Sequence, residues 1–72
     1  MRVIHDTRYF YAKAHYEIAR GNGNIANVIT ACESYEDFHD RTLASRPEYD
    51  TDKKYYDTCR DEIQNILAEV RK

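Results

Sequence analysis

Glu36 and His39 stand three residues apart in the run Glu33-Ser34-Tyr35-Glu36-Asp37-Phe38-His39-Asp40. On a helix that spacing sets both side chains toward one face. An E-x-x-H pair is one element of the carboxylate-bridged di-metal sites found inside four-helix bundles. Those sites need two such pairs and two further carboxylates. This chain carries one pair, so a second copy would have to supply the other, with Asp52 as the extra carboxylate. Glu36, His39 and Asp52 are therefore the metal candidates. The plainer expectation is that His39 bonds Asp52 or a tyrosine where the fold frays, and that Glu36 is solvated. Ligand number and geometry define a metal site, so neither a metal nor a cofactor is expected.

Cys32 and Cys59 are the other reactive types. Cys32 lies seven helical residues from His39, about 10 Å away, so the two cannot share an ion. Both cysteines sit among apolar residues, where thiols are inert. With no secretory signal, buried reduced thiols are expected over a disulfide. Nucleophilic catalysis needs a nucleophile held against a base and an orienting acid, and no such set is apparent. Gly21-Asn22-Gly23-Asn24 has two glycines but not the spacing of a phosphate loop. The chain does not read as an enzyme.

Seven tyrosines and no tryptophan are the strongest compositional signal. Tyr9, Lys13, Tyr16 and Arg20 fall within about 60° of one another on a helical projection. They lie opposite the line Thr7, Tyr11, Ala14, Ile18, which the spacing assigns to the core. Exposed Tyr and Arg are favoured binding anchors. The expected partner-binding site is this ridge, directed at another protein with an acidic surface or at a second copy of the chain. Nucleic-acid phosphate, met by Arg8, Lys13 and Arg20 with the tyrosines stacking on bases, is the lesser alternative. The ordinary alternative is a solvated face with scattered aromatics.

The elements that must position these groups are helices. The chain has 72 residues, two glycines and one proline, which favours few, long elements. The apolar residues Tyr56, Cys59, Ile63, Ile66 and Val70 step by 3, 4, 3, 4 along one helical face. Asp6 or Thr7 caps a first helix. Gly21–Asn24 ends it, and Asn24 caps the second. The second helix buries Ile25, Val28, Ile29, Cys32, Tyr35 and Leu43. Phe38 falls off that face, as a contact with the first helix or an exposed ring. Ser45-Arg46-Pro47-Glu48 has the form of a capping box with Pro in the first turn. A rival start at Asp50 or Thr51 leaves 45–49 as a loop.

The expected fold is all-α: one domain over 1–72, a three-helix bundle with helices at about 7–20, 25–44 and 47–71. Helices two and three form an antiparallel hairpin. A tight second turn pairs Ile25 with Ile66, Val28 with Ile63, Cys32 with Cys59, Tyr35 with Tyr56, and His39 with Asp52.

Charge narrows the function. Eleven basic and thirteen acidic residues give a net charge of -2. That is not the dominant basic field of a nucleic-acid binder, and only residues 1–20 lean basic. No apolar run approaches the roughly 18 residues of a membrane span, and no leader pattern is present. The expectation is a soluble, cytoplasmic helical protein without catalysis that binds another protein and regulates or inhibits it. Its small size is compatible with a phage or mobile-element origin. The alternatives are a metal-binding or redox bundle and a nucleic-acid-binding accessory protein.

Overall fold

A computed structural model describes residues 2–72. Three long helices carry the fold: α1 (Arg2–Asn22), α2 (Ile25–Arg41) and α4 (Lys53–Val70). A 3-10 helix (Leu43–Ser45) and the short α3 (Pro47–Thr51) connect α2 to α4. The all-α bundle is as expected, and no strand occurs among the described residues.

α1 starts at Arg2, four or five residues before its expected cap at Asp6 or Thr7. Thr7 is already inside the helix, and its Oγ1 donates back to the Val3 carbonyl at 2.8 Å. The helix ends at Gly23, whose φ of 75° is the left-handed conformation that glycine adopts without a Cβ penalty. The Gly23 N–H closes on the Ala19 carbonyl at 2.7 Å. Asn24 then caps α2 by accepting from the Asn27 N–H at 3.4 Å.

The second connection is longer than the capping-box reading allows. Ser45 Oγ donates backward to the Thr42 carbonyl at 2.8 Å and caps nothing ahead of it. Arg46 is extended (φ -97°, ψ 143°), as a residue before proline must be. Pro47 then opens the single-turn α3, and the chain breaks at Asp52 (φ -121°, ψ 32°) before α4 begins. The expected continuous helix over 47–71 is therefore two helices meeting at a corner.

That corner shifts the hairpin register. His39 lies against Asp57, five residues beyond the expected Asp52. Further up the same face, Arg60 meets Asp40 and Glu36, and Arg71 meets Glu33. The rising α4 numbers against falling α2 numbers confirm the antiparallel hairpin. The expected Tyr35–Tyr56 layer does not hold, since Tyr35 belongs to the main core and Tyr56 to a second, smaller one, whereas Val28, Cys32, Cys59, Ile63 and Ile66 share the main core. The faces themselves are right. Val28, Cys32, Tyr35, Leu43, Tyr56, Cys59, Ile63 and Ile66 are all buried. Ile29 and Val70 are half-buried against the main core, and Ile25 is exposed at the open end of the bundle.

The main core gathers α1, α2 and α4 around Ala12, Val28, Cys32, Tyr35, Cys59 and Ile63. The second core, at the corner, holds Phe38, Leu43 and Tyr56, with Tyr49 packed against it. Phe38 is thus buried, and the guanidinium of Arg8 from α1 lies 4.9 Å from its ring centroid.

The largest difference concerns α1. Its buried residues are His5, Tyr9, Ala12 and Ala19, with Tyr16 half-buried on the same stripe. The expected seam faces outward: Tyr11 is 61% exposed, Ile18 56%, and Ala14 is exposed as well. Both lines repeat at helical spacing, and the choice between them is one of polarity. The more apolar line is on the outside. The less apolar one is drawn in because its aromatic and imidazole groups find hydrogen-bond partners on α2 and α4.

Candidate functional site

His5 is the hub of the inward stripe and is fully buried. Its Nε2 lies 2.7 Å from the Tyr35 hydroxyl and its Nδ1 2.8 Å from Asp6. An ionised Asp6 only accepts, so Nδ1 carries the proton and Nε2 accepts from the Tyr35 O–H. Asp6 also accepts from the Tyr55 hydroxyl at 2.7 Å. The rings of Tyr35, Tyr55 and Tyr56 stand edge-on to the imidazole at 5.4, 5.6 and 4.7 Å. Desolvation pushes the His5 pKa down and outweighs the Asp6 hydrogen bond, so the ring is held neutral. Burial pushes the Asp6 carboxyl up, but the bonds from Tyr55 and His5 prevail and hold it below its ordinary value. Carboxylate, imidazole and hydroxyl in line resemble a nucleophile-activating array. The hydroxyl, however, belongs to Tyr35, which is 1% exposed. No substrate can reach it, and the array works as an interhelical clamp.

The expected binding ridge lies alongside this hub, on the flank of α1 that faces α4. Tyr9 is buried and its hydroxyl donates to Glu62. Lys13 Nζ reaches the Tyr9 hydroxyl at 3.2 Å and Glu62 at 3.2 Å. Tyr16 donates to Glu69, and Arg20 pairs with Glu17 at 3.7 Å. Tyr9 with Glu62 and Tyr16 with Glu69 share a separation of 53 residues, so α1 and α4 run parallel in constant register. Burial and the Glu62 carboxylate raise the Tyr9 pKa, so the phenol stays protonated. Tyr9, Lys13 and Tyr16 therefore do not point away from the core. They form a polar ladder between two helices, and only Arg20 lies exposed, at its end.

Glu36, His39 and Asp52 are not brought together. Glu36 lies 3.7 Å from Arg60, and Asp52 3.7 Å from Arg2. His39 is buried, with Nδ1 3.0 Å from Asp40. Its Nε2 lies 3.3 Å from the Asp57 carboxylate but off line, so it makes no hydrogen bond. Arg60 holds Asp40 through two contacts of 2.9 Å and brings its pKa down to about 2. Among the described residues no group of three His, Cys, Asp or Glu side chains is placed to hold a metal ion. Cys32 and Cys59 are free and buried, and desolvation pushes the Cys32 thiol up to about 11 and the Cys59 thiol in the same direction.

What remains exposed is the surface that the sequence assigned to the core. Val3 (78%), Ile4 (52%), Phe10 (57%), Tyr11 and Ile18 stand along the outer side of α1. Tyr11 meets His15 edge-on at 4.5 Å, which fixes the ring against its own helix. The signal for this site was in the sequence. A second 4, 3, 4, 3 line, through His5, Tyr9, Ala12, Tyr16 and Ala19, competes for the core and brings hydrogen-bonding groups with it. No helix is long and apolar enough to cross a membrane among the described residues. No family model, curated protein or solved structure matches the chain.

Proposed function

We propose that this chain is a non-catalytic, cytoplasmic binding protein that regulates or inhibits another protein, and that it holds its partner with the outer face of α1. The observation that supports this is the inverted amphipathicity of α1, whose exposed line is more apolar than its buried one. A helix normally buries its most apolar line. Contiguous exposed apolar patches on small proteins mark interaction sites. The partner therefore presents an apolar, helix-receiving surface. The acidic partner expected from the tyrosine ridge loses its basis, because Tyr9 and Lys13 are already engaged with Glu62.

The metal and nucleic-acid readings lack comparable support. Glu36, His39 and Asp52 turn to different neighbours, and Lys13 is held against a carboxylate. The test is capture from the native host with the wild type and with a Tyr11→Lys, Ile18→Lys double variant. Both positions are more than half exposed, so the variant should melt within about 1 kcal/mol of the wild type. Loss of the captured partner with folding intact is the expected result. Unchanged capture would refute the assignment of this face.

A further inference from the structure

The apolar face of α1 has a symmetry of its own. Ile4, Tyr11 and Ile18 are seven residues apart, with Tyr11 at the centre. Two copies of α1 laid antiparallel about a two-fold axis at Tyr11 put Ile4 of one on Ile18 of the other, and Tyr11 on Tyr11. The axis brings the same flank of each helix together, so Phe10 approaches Phe10 on the far side of the seam. Thr7 and Ala14, small residues in the middle of the face, let the backbones come close. Along the central line of the face each layer is then apolar against apolar, or small against small, and Glu17 stands at its flank.

Charge selects this direction over the parallel one. Glu17 is the one charged residue among the outward positions 3, 4, 7, 10, 11, 14, 17, 18 and 21. In a parallel pair the two Glu17 carboxylates would meet and the helix dipoles would align. In the antiparallel pair the carboxylates stand about 18 Å apart along the axis, and the dipoles oppose favourably. The area fits a modest association. Five apolar side chains, each more than half exposed, offer on the order of 500 Å² per copy, short of the roughly 800 Å² of a standard interface.

From the palindromic face, its charge and its area, we infer that the free protein covers its binding face with a second copy of itself, α1 against α1, antiparallel and in rapid exchange. This rests on the binding-face reading above and adds its regulation. Partner and second copy compete for one surface, so the dimer is the masked form and the monomer the binding form.

Sedimentation equilibrium of the full chain from micromolar to sub-millimolar concentration tests the association. The wild type should pass from monomer to dimer mass. Tyr11→Lys sets two ammonium groups on the two-fold axis and should raise the dissociation constant about thirtyfold or more, with the helical circular dichroism unchanged. Mild oxidation tests the direction, with the wild type as control for the buried cysteines. Tyr11→Cys should crosslink to itself. Ile18→Cys should not, but should crosslink to Ile4→Cys in a mixture. A wild type that stays monomeric throughout overturns the inference, as does a dimer indifferent to Tyr11→Lys or an Ile18→Cys chain that couples to itself. If a monomeric wild type still loses its captured partner on Tyr11→Lys, self-masking is wrong and the binding face stands. If capture too is unaffected, both are wrong.

Discussion

Replacing His5 by Phe tests the clamp that fixes α1. Phenylalanine keeps a ring edge-on to Tyr35, Tyr55 and Tyr56 but removes both nitrogens. The Tyr35 hydroxyl, 1% exposed, then has no partner for its proton. A buried polar group left without its partner costs about 1–3 kcal/mol. At pH 7.5 the variant should therefore lose about 2 kcal/mol, which in a chain of this size lowers the melting temperature by roughly 8–16 °C. Removing both partners is close to neutral, so His5→Phe with Tyr35→Phe should recover most of the loss. The same variant changes the pH profile. Burial lowers the folded pKa of His5, so below about pH 6.5, the unfolded value, the unfolded state takes up the proton first. The stability contributed by the neutral ring is complete above that pH and falls as the pH drops toward the folded value, by at most about 1.4 kcal/mol per pH unit. His5→Phe should flatten this region. Urea denaturation followed by circular dichroism at several pH values from mildly acidic to neutral measures both effects. A single variant as stable as the wild type at neutral pH, or a wild-type profile flat through the histidine range, would refute the clamp.

Three further predictions concern other parts of the chain. Gly23→Ala meets no atom within 4 Å and suffers only from the positive φ, so thermal denaturation should show a loss of about 1 kcal/mol. Both cysteines are buried and their thiols shifted upward. A thiol reagent should therefore react slowly with the native protein near pH 8 and quickly in denaturant, and fast reaction of either native thiol would contradict the packing of Cys32 and Cys59. Arg60→Ala removes the two-contact hold on Asp40, but Asp40 is about half exposed. The loss read from urea denaturation should be near 0.5–1 kcal/mol and smaller at high salt.

The helices of this fold are legible in the sequence because apolar spacing dictates them. The α4 line from Tyr56 to Ile66 and the α2 line from Val28 to Tyr35 are buried where the 3.6-residue period puts them. Gly23 ends α1 for the reason its type suggests. Register was less accessible. Ser45-x-x-Glu48 looks like a capping box, but the serine bonds backward and the corner at α3 inserts a turn. A local motif cannot reveal which of its two partners will be closer. The facing of α1 was hidden for another reason. Summed along the line, hydropathy ranks Ile4, Tyr11 and Ile18 above His5, Tyr9 and Ala12, because two isoleucines stand against a histidine. It takes no account of the bonds from Tyr35, Asp6 and Glu62 that make the polar line worth burying. The sequence thus held the exposed apolar face of α1 in view under the wrong heading. Of the ridge, Tyr9, Lys13 and Tyr16 turned out to join helices, and Arg20 remains at the edge.

The division into two cores has a dynamic consequence. Phe38, Leu43 and Tyr56 make a small cluster at the corner, outside the main stack of Ala12, Val28, Cys32, Cys59 and Ile63. The helix at that corner, α3, fully buries none of its own residues and only half-covers Tyr49 against the smaller core. A segment with so little apolar cover opens at a fraction of the global unfolding free energy. Amide protons from residue 43 to residue 53 should therefore exchange through local opening, while those of mid-α2 and mid-α4 wait for the whole chain. The corner that shifted the hairpin register should then also be the first place at which the molecule opens.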